Sequence, residues 1–101
     1  MLKIKHGVKL SGIRPEILVG MMVAKDVVDA HNIDCVITCG LDGKHMAHSK
    51  HITGFAIDLR SREFTKEQID DVLHLLKTNL GEEFDVLFEG NHFHVEFDPE
   101  C

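Results

Sequence analysis

The stretch FDVLFEGNHFHVEF, residues 84–97, consists of two apolar runs separated by a Gly-Asn pair at 90–91. A glycine and an asparagine between two such runs predict a β-hairpin with a tight turn. Side chains two positions apart on a strand point to the same face, so His92 and His94 should project together while the apolar residues between them pack on the other side. The hairpin is therefore predicted to have one packed face and one open face that carries imidazoles.

Two helices are predicted upstream of the hairpin from apolar residues at three- and four-residue spacing. The first should begin at Pro15, which costs no hydrogen bond in a first turn, and extend to about His31. Gly20 inside it predicts a close crossing by another element. A capping box at 65–68 begins the second helix, which should stop near Gly81.

The remaining elements are short. Residues 33–38 are β-branched and predict a buried strand, residues 40–50 a polar loop, and residues 52–59 a second strand. Residues 1–9 alternate loosely and predict either a short edge strand or an ordered arm. This order of elements predicts a single α+β domain over residues 1–101, in which two helices cover a small mixed or antiparallel sheet.

Composition and charge narrow the classes of partner. The 101 residues are 44% hydrophobic and 28% charged, as in a globular domain. A formal charge of −6 repels phosphate backbones, so nucleic acid is not expected as a partner. No apolar run approaches the ~20 residues of a membrane span, and the N-terminus does not resemble a signal peptide. We therefore expect a protein that is cytoplasmic in the producing cell; the pattern does not specify its oligomeric state.

The cysteines argue against a disulfide framework and against a thiolate zinc site. Cys35, Cys39 and Cys101 are odd in number and lack the CxxC spacing. We expect reduced thiols. Cys39 is interpreted as a small buried filler at a strand end, because nearness to a site does not by itself make a thiol reactive.

The segment SKHITGFAID, residues 49–58, offers the first pair of metal ligands. His51 supplies an imidazole nitrogen and Asp58 a carboxylate oxygen, both of which bind Zn²⁺. On a regular strand Gly54 and Ala56 would share the face of Asp58 and leave space for a metal and a substrate. Taken alone, the pair is more simply interpreted as a surface loop histidine and a strand-end cap.

The late segment offers further groups. His92 and His94 on one strand face, with Glu89 at the preceding turn, supply a third metal ligand, a spare donor and a general base. Glu96 should lie on the same face and either orient an imidazole or remain solvated. A solvated strand face with histidines at chance positions is the alternative.

A catalytic zinc site has three protein ligands and one open position. His51, Asp58 and one of His92 or His94 meet that count. The pattern Ser-x-His-x-x-Gly-x-Ala-x-Asp followed by a late His-x-His resembles that of the M15-type zinc D-Ala-D-Ala peptidases of the hedgehog/DD-peptidase fold. The length and the ending HVEFDP are most similar to the small members encoded by bacteriophages.

The resemblance assigns roles to individual residues. It implies that His51, Asp58 and His94 bind Zn²⁺, that Glu89 is the catalytic acid/base, and that His92 contacts the substrate carbonyl or the developing oxyanion. A second alignment, in which the acidic base precedes the metal histidine by three positions, would make His92 the ligand.

Substrate contacts follow the family pattern less closely. Ser49 belongs to the matched motif and is expected near the substrate. Many members carry an arginine after the strand equivalent to residues 33–38, where it grips a substrate carboxylate, and this chain has none there. Lys44 or Arg60 could replace it, although Arg60 is equally suited to a structural ion pair.

His45 and His48 run with His51 at three-residue spacing and form an alternative ligand set if they share a helical turn. Gly43 and the polar surroundings favour a loop instead.

The resemblance implies a zinc-dependent hydrolase that cleaves peptidoglycan stem peptides, as a D-Ala-D-Ala carboxypeptidase or an L-Ala-D-Glu endopeptidase. A bacteriophage endolysin or a virion component would use such an activity for cell wall degradation. Two alternatives are a noncatalytic zinc-containing binding or virion protein on the same scaffold, and a metal-free domain whose motif has drifted.

Overall fold

The computed structural model describes residues 1–42 and 49–99, and within them it contains five strands and two helices. The elements in chain order are β1 (Leu2–Ile4), α1 (Pro15–Asp29), β2 (Cys35–Cys39), β3 (Ala56–Arg60), α2 (Lys66–Leu80), β4 (Phe84–Phe88) and β5 (His92–Phe97). The predicted α+β class, with a mixed sheet and two helices, is confirmed. The expectations that concern Gly43, Lys44, His45, His48 and Cys101 fall outside the described residues.

The strands form one sheet in the order β1-β2-β3-β5-β4, in which β1 and β2 are parallel and all other neighbours are antiparallel. β1 is thus the short edge strand that residues 1–9 allowed. Apolar residues of both helices and of one sheet face form the core, and Phe93 and Val95 of β5 are fully buried in it. The alternate residues of β5 lie on the opposite face, which is where the predicted site residues are.

Local signals place both helices. Pro15 opens α1, and at the start of α2 the Gln68 amide donates to Thr65 Oγ1 while the Thr65 amide donates to Gln68 Oε1. A Cβ atom at Gly20 would lie 3.0 Å from the ring of Phe84, so the predicted close crossing is confirmed. Neither helix, within the part of the chain that the structure describes, has the length and apolarity needed to cross a bilayer.

The predicted strand over residues 52–59 is wrong in its first half. β3 begins only at Ala56, because the chain before it forms a turn in which the Gly54 amide donates to the His51 carbonyl. Gly54 has φ 81°, and a Cβ there would lie 2.2 Å from the carbonyl oxygen of Gly12. Gly54 therefore permits a left-handed turn and a close backbone approach; it does not open space beside Asp58.

Candidate metal centre

The pairing of β3 with β5 brings the two motif segments together. Asp58 lies directly opposite His94 in this antiparallel pair, and Arg60 lies opposite His92. Opposite residues have Cβ atoms about 5 Å apart and share a face. As a result His94 Nδ1 is 3.0 Å from Asp58 Oδ1. His51, from the turn before β3, places Nε2 3.1 Å from the same oxygen.

These distances fit the coordination of a small cation. Zinc bonds of about 2.05 Å in a tetrahedral site separate neighbouring ligand atoms by about 3.4 Å. The two nitrogen-to-oxygen distances at Asp58 are within a few tenths of an ångström of that value. Two groups of possible ligands have donor atoms that all lie within 4.8 Å of one another: Asp58, Glu89 and His94 form one, and Cys39, His51 and Asp58 form the other. Asp58 belongs to both groups, whereas His51 and His94 fall in different groups, so side chains must shift before both rings contact one ion.

Each imidazole is fixed through its other nitrogen. His51 Nδ1 lies 2.8 Å from the Gly40 carbonyl oxygen, which can only accept, so Nδ1 carries hydrogen. Nε2 faces Asp58, to which it donates when it carries hydrogen, and it offers a lone pair to a metal ion when it does not. His94 Nε2 lies 2.8 Å from Glu96 Oε1, which in the same way leaves Nδ1 directed at Asp58. Glu96 therefore orients an imidazole, one of its two expected roles. Hydrogen bonds of this kind orient the histidines of zinc sites.

The charges at the site favour a cation. Burial alone would raise the pKa of the Asp58 carboxyl, but hydrogen bonds from His51 and His94 outweigh burial and hold this pKa well below its usual range. The hydrogen bond to Asp58 raises the pKa of His94 to about 9, with a further contribution from Glu96 and against the effect of burial. In the metal-free site, His94 Nδ1 therefore carries a proton at the position where it would bind a metal ion.

Glu89 and His92 lie at the mouth of the site. The Glu89 side chain is 48% exposed, and its Oε1 is 3.2 Å from His92 Nε2 and 3.9 Å from His94 Nδ1. His92 Nε2 is 3.8 Å from Asp58 Oδ2, and its Nδ1 is 2.7 Å from Asn91 Oδ1. Of the two late histidines, His94 has the closer contact with Asp58. A carboxylate oxygen of Glu89 lies within 4.8 Å of donor atoms of Asp58 and His94.

The two predicted substrate contacts have intramolecular partners. Ser49 Oγ accepts a hydrogen bond from the His51 amide at 3.2 Å, so it helps to shape the turn that carries His51. Arg60 forms a two-point ion pair with Glu63, through Nε at 3.0 Å and a terminal nitrogen at 2.7 Å. This is the structural ion pair that the sequence allowed for Arg60. The prediction that either residue contacts substrate remains a prediction.

A cavity of about 460 Å³ opens beside Asp58 and His92, and its walls are cationic. Lys5, Arg60 and Arg62 line it, in a chain whose net charge is −6. Arg60 and Arg62 share the single carboxylate of Glu63, so the wall retains positive charge. Sequence analysis did not predict Lys5 or Arg62. Lys5 is far from the motif along the chain, and Arg62 lies outside the motif over residues 49–58. An anionic group of a ligand would be favoured here. The other lining residues are Thr38, Cys39 and Asn91.

Cys39, which sequence analysis interpreted as a small buried filler, is half-buried beside the candidate site. Its thiol lies with the donors of His51 and Asp58 in a group whose atoms are all within 4.8 Å of one another. Burial raises the pKa of the Cys39 thiol to about 11, and the nearby carboxylates of Asp42 and Asp58 act in the same direction. No spacing rule links Cys39 to the motif, because its position depends on an irregularity in the sheet.

Comparisons with known proteins assign no family to the chain. A scan against protein-family models, a search of curated proteins and a search of solved structures found no match. The resemblance to zinc D-Ala-D-Ala peptidases therefore depends on the motif residues alone.

Proposed function

We propose that this protein is a zinc-dependent peptidase that hydrolyses peptidoglycan stem peptides, with His51, Asp58 and His94 as its metal ligands. The observation that carries the proposal is the convergence of His51 Nε2 and His94 Nδ1 on one carboxylate oxygen, at 3.1 and 3.0 Å. The opposite nitrogen of each ring already has an acceptor, so both rings can offer a lone pair to a cation. The substrate class comes from the motif resemblance.

Glu89 carries out the proton transfers of the proposed reaction. A zinc ion in such a site supplies Lewis acidity, which lowers the pKa of a water molecule toward ~7 and polarises a carbonyl group. Glu89 accepts the proton of the attacking water and delivers it to the leaving amine. Its exposed position at the mouth suits both transfers, because water and the leaving group must reach it.

His92 completes the site from the same hairpin. Its Nε2 faces the carboxylate of Glu89 and lies farther from Asp58 than the donors of His94 and His51 do. From there it donates a hydrogen bond to the carbonyl oxygen of the scissile bond as negative charge develops. Removing a contact of this kind costs ~10²- to 10³-fold in rate.

The cationic cavity supports a substrate that carries carboxylates. Stem peptides contain a terminal carboxylate and further acidic groups along the chain, and Lys5, Arg60 and Arg62 line the cavity beside Asp58. The substrate of either a D-Ala-D-Ala carboxypeptidase or an L-Ala-D-Glu endopeptidase would place an anion beside these cationic side chains. A bacteriophage lysis enzyme or a virion component would bring such an activity to the bacterial cell wall.

Digestion of defined muropeptides tests the proposal. Protein purified without a histidine tag and loaded with zinc should cleave pentapeptide-containing fragments, and mass spectrometry of the products identifies the bond. Glu89→Gln should keep its zinc and lose ~10²- to 10⁴-fold in rate, because the general acid/base is removed. Glu83→Gln, at an exposed position before β4, is the matched control and should retain full activity.

Two results would contradict the proposal. If the wild-type protein holds one zinc ion per chain and leaves every fragment intact, the peptidase proposal is wrong and a noncatalytic zinc-binding protein is the better description. If Glu89→Gln and Glu83→Gln cleave equally fast, Glu89 is not the acid/base.

A further inference from the structure

The antiparallel pairing of β2 with β3 contains a β-bulge beside the candidate metal centre. Ile37 lies opposite Leu59, whereas Cys39 lies opposite Asp58, so two residues of β2 face one residue of β3. A regular ladder would place Thr38 opposite Asp58 instead. Bulges rotate the side chains that follow them, and this one turns Cys39 to the sheet face that carries Asp58.

The bulge adds a sulfur donor to the site. Cys39 Sγ, one imidazole nitrogen of His51 and one carboxylate oxygen of Asp58 lie within 4.8 Å of one another. Thiolate, imidazole and carboxylate are the three ligand types that zinc binds in proteins. Zinc bonds of about 2.3 Å to sulfur and about 2.05 Å to nitrogen would separate these two atoms by about 3.6 Å. Shifts of about 1 Å would therefore bring Cys39 into the coordination shell.

The backbone holds this strand end in place. Gly40, the next residue, accepts the hydrogen bond from His51 Nδ1 at 2.8 Å. A Cβ at Gly40 would lie 2.3 Å from the Lys9 carbonyl oxygen, so the chain is packed tightly here. The protonated thiol of Cys39 donates to the Asp42 carbonyl at 3.3 Å, and the residue also lines the cationic cavity. The Gly40 backbone therefore links the positions of Cys39 and His51.

We propose that Cys39 is a fourth, displaceable ligand of the candidate metal centre. This inference rests on the metal site of the proposed function and not on the hydrolysis itself. On coordination the S–H bond of Cys39 breaks, a sulfur-to-metal bond forms, and the proton passes to solvent. The thiolate then takes the position that a catalytic zinc site leaves open, and a stronger oxygen ligand, such as a hydroxamate, displaces it.

Cobalt substitution tests the proposal directly. Cobalt-loaded wild-type protein should show a near-ultraviolet thiolate-to-cobalt charge-transfer band, and excess acetohydroxamate should abolish it. Cys39→Ser should lack the band and bind zinc at least ~10-fold more weakly, since even indirect ligand contacts contribute that much. Cys35→Ser is the matched control, because Cys35 is on the same strand but buried, and it should keep the band. Circular dichroism establishes that both variants are folded.

A second measurement needs no substitution. Saturating zinc should protect Cys39 of the wild-type protein from alkylation by iodoacetamide, as quantified for each cysteine by mass spectrometry, with buried Cys35 unreactive throughout. Equal alkylation of Cys39 with and without zinc would overturn the proposal.

The outcomes separate this inference from the proposed function. Bound cobalt without a charge-transfer band refutes the Cys39 ligand and leaves the peptidase standing. A band that acetohydroxamate leaves unchanged refutes displaceability. A band in a protein that cleaves no muropeptide retains Cys39 as a ligand and refutes the peptidase. Failure to bind any metal refutes both.

Discussion

The protonated state of His94 makes a quantitative prediction about the metal-free protein. The pKa of His94 is about 9 in the folded chain, and an unfolded histidine has a pKa of ~6.5. The folded state holds this proton more tightly, so the stabilisation is complete below the unfolded pKa and is lost as pH rises through the folded pKa. The difference corresponds to about 3 kcal/mol in the free energy of unfolding, since each unit contributes ~1.4 kcal/mol. The His94 side chain is only 12% exposed, which limits screening by solvent.

Urea denaturation in the presence of a chelator measures the effect. Between pH 6 and pH 9.5 the wild-type protein should lose about 3 kcal/mol more than His94→Gln does. His31→Gln is the matched control: a hydrogen bond to Asp71 raises the pKa of His31 as well, but this pair lies away from the site. His31→Gln should therefore keep the contribution of His94. Saturating zinc should reverse the trend, because the metal binds the neutral imidazole.

Equal pH dependence in the wild-type protein and His94→Gln would refute this account of the charge at Asp58. A zinc-loaded protein whose stability falls with pH in the same way as the metal-free protein would show that zinc and the proton do not compete for His94.

Two further predictions concern the surroundings of the site. Glu96→Gln should weaken zinc binding by ~10- to 100-fold in a competition titration, because it replaces the carboxylate that orients His94. Asp85→Asn, at the paired position on β4, should leave the affinity unchanged. Equal losses of affinity in the two variants would show that Glu96 does not orient His94 for zinc. Gly54→Ala should lower the free energy of unfolding by clearly more than Gly90→Ala does. Both positions have a left-handed backbone, which costs ~1–2 kcal/mol for alanine, but an added Cβ meets no atom within 4 Å at Gly90 and lies 2.2 Å from the Gly12 carbonyl oxygen at Gly54. Equal losses in urea denaturation would mean that the close approach at Gly54 relaxes freely.

Much of the fold could be predicted from local signals. The hairpin over residues 84–97, the proline at the start of α1 and the capping box at 65–68 are all properties of a few neighbouring residues, and each is found where it was expected. The separation of His92 and His94 from the buried face of β5 follows from strand periodicity alone.

What the sequence could not provide depends on contacts between distant segments. At the turn that ends before Ala56, the backbones at Gly12 and Gly54 approach each other closely, and no periodicity reports such a contact. The bulge that turns Cys39 toward Asp58 depends on the register between β2 and β3, and a change of one position would remove the thiol from the site. Lys5 reaches the cavity beside the site from the N-terminal segment, and neither motif includes it.

A crystal structure of zinc-loaded protein, purified without a tag and measured at the zinc absorption edge, would show whether His51, Asp58 and His94 share one ion. We expect one anomalous peak per chain, bonded to His51 Nε2, His94 Nδ1 and a carboxylate oxygen of Asp58. A peak at another place in the chain, or an ion at Asp58 that either histidine fails to contact, would contradict it.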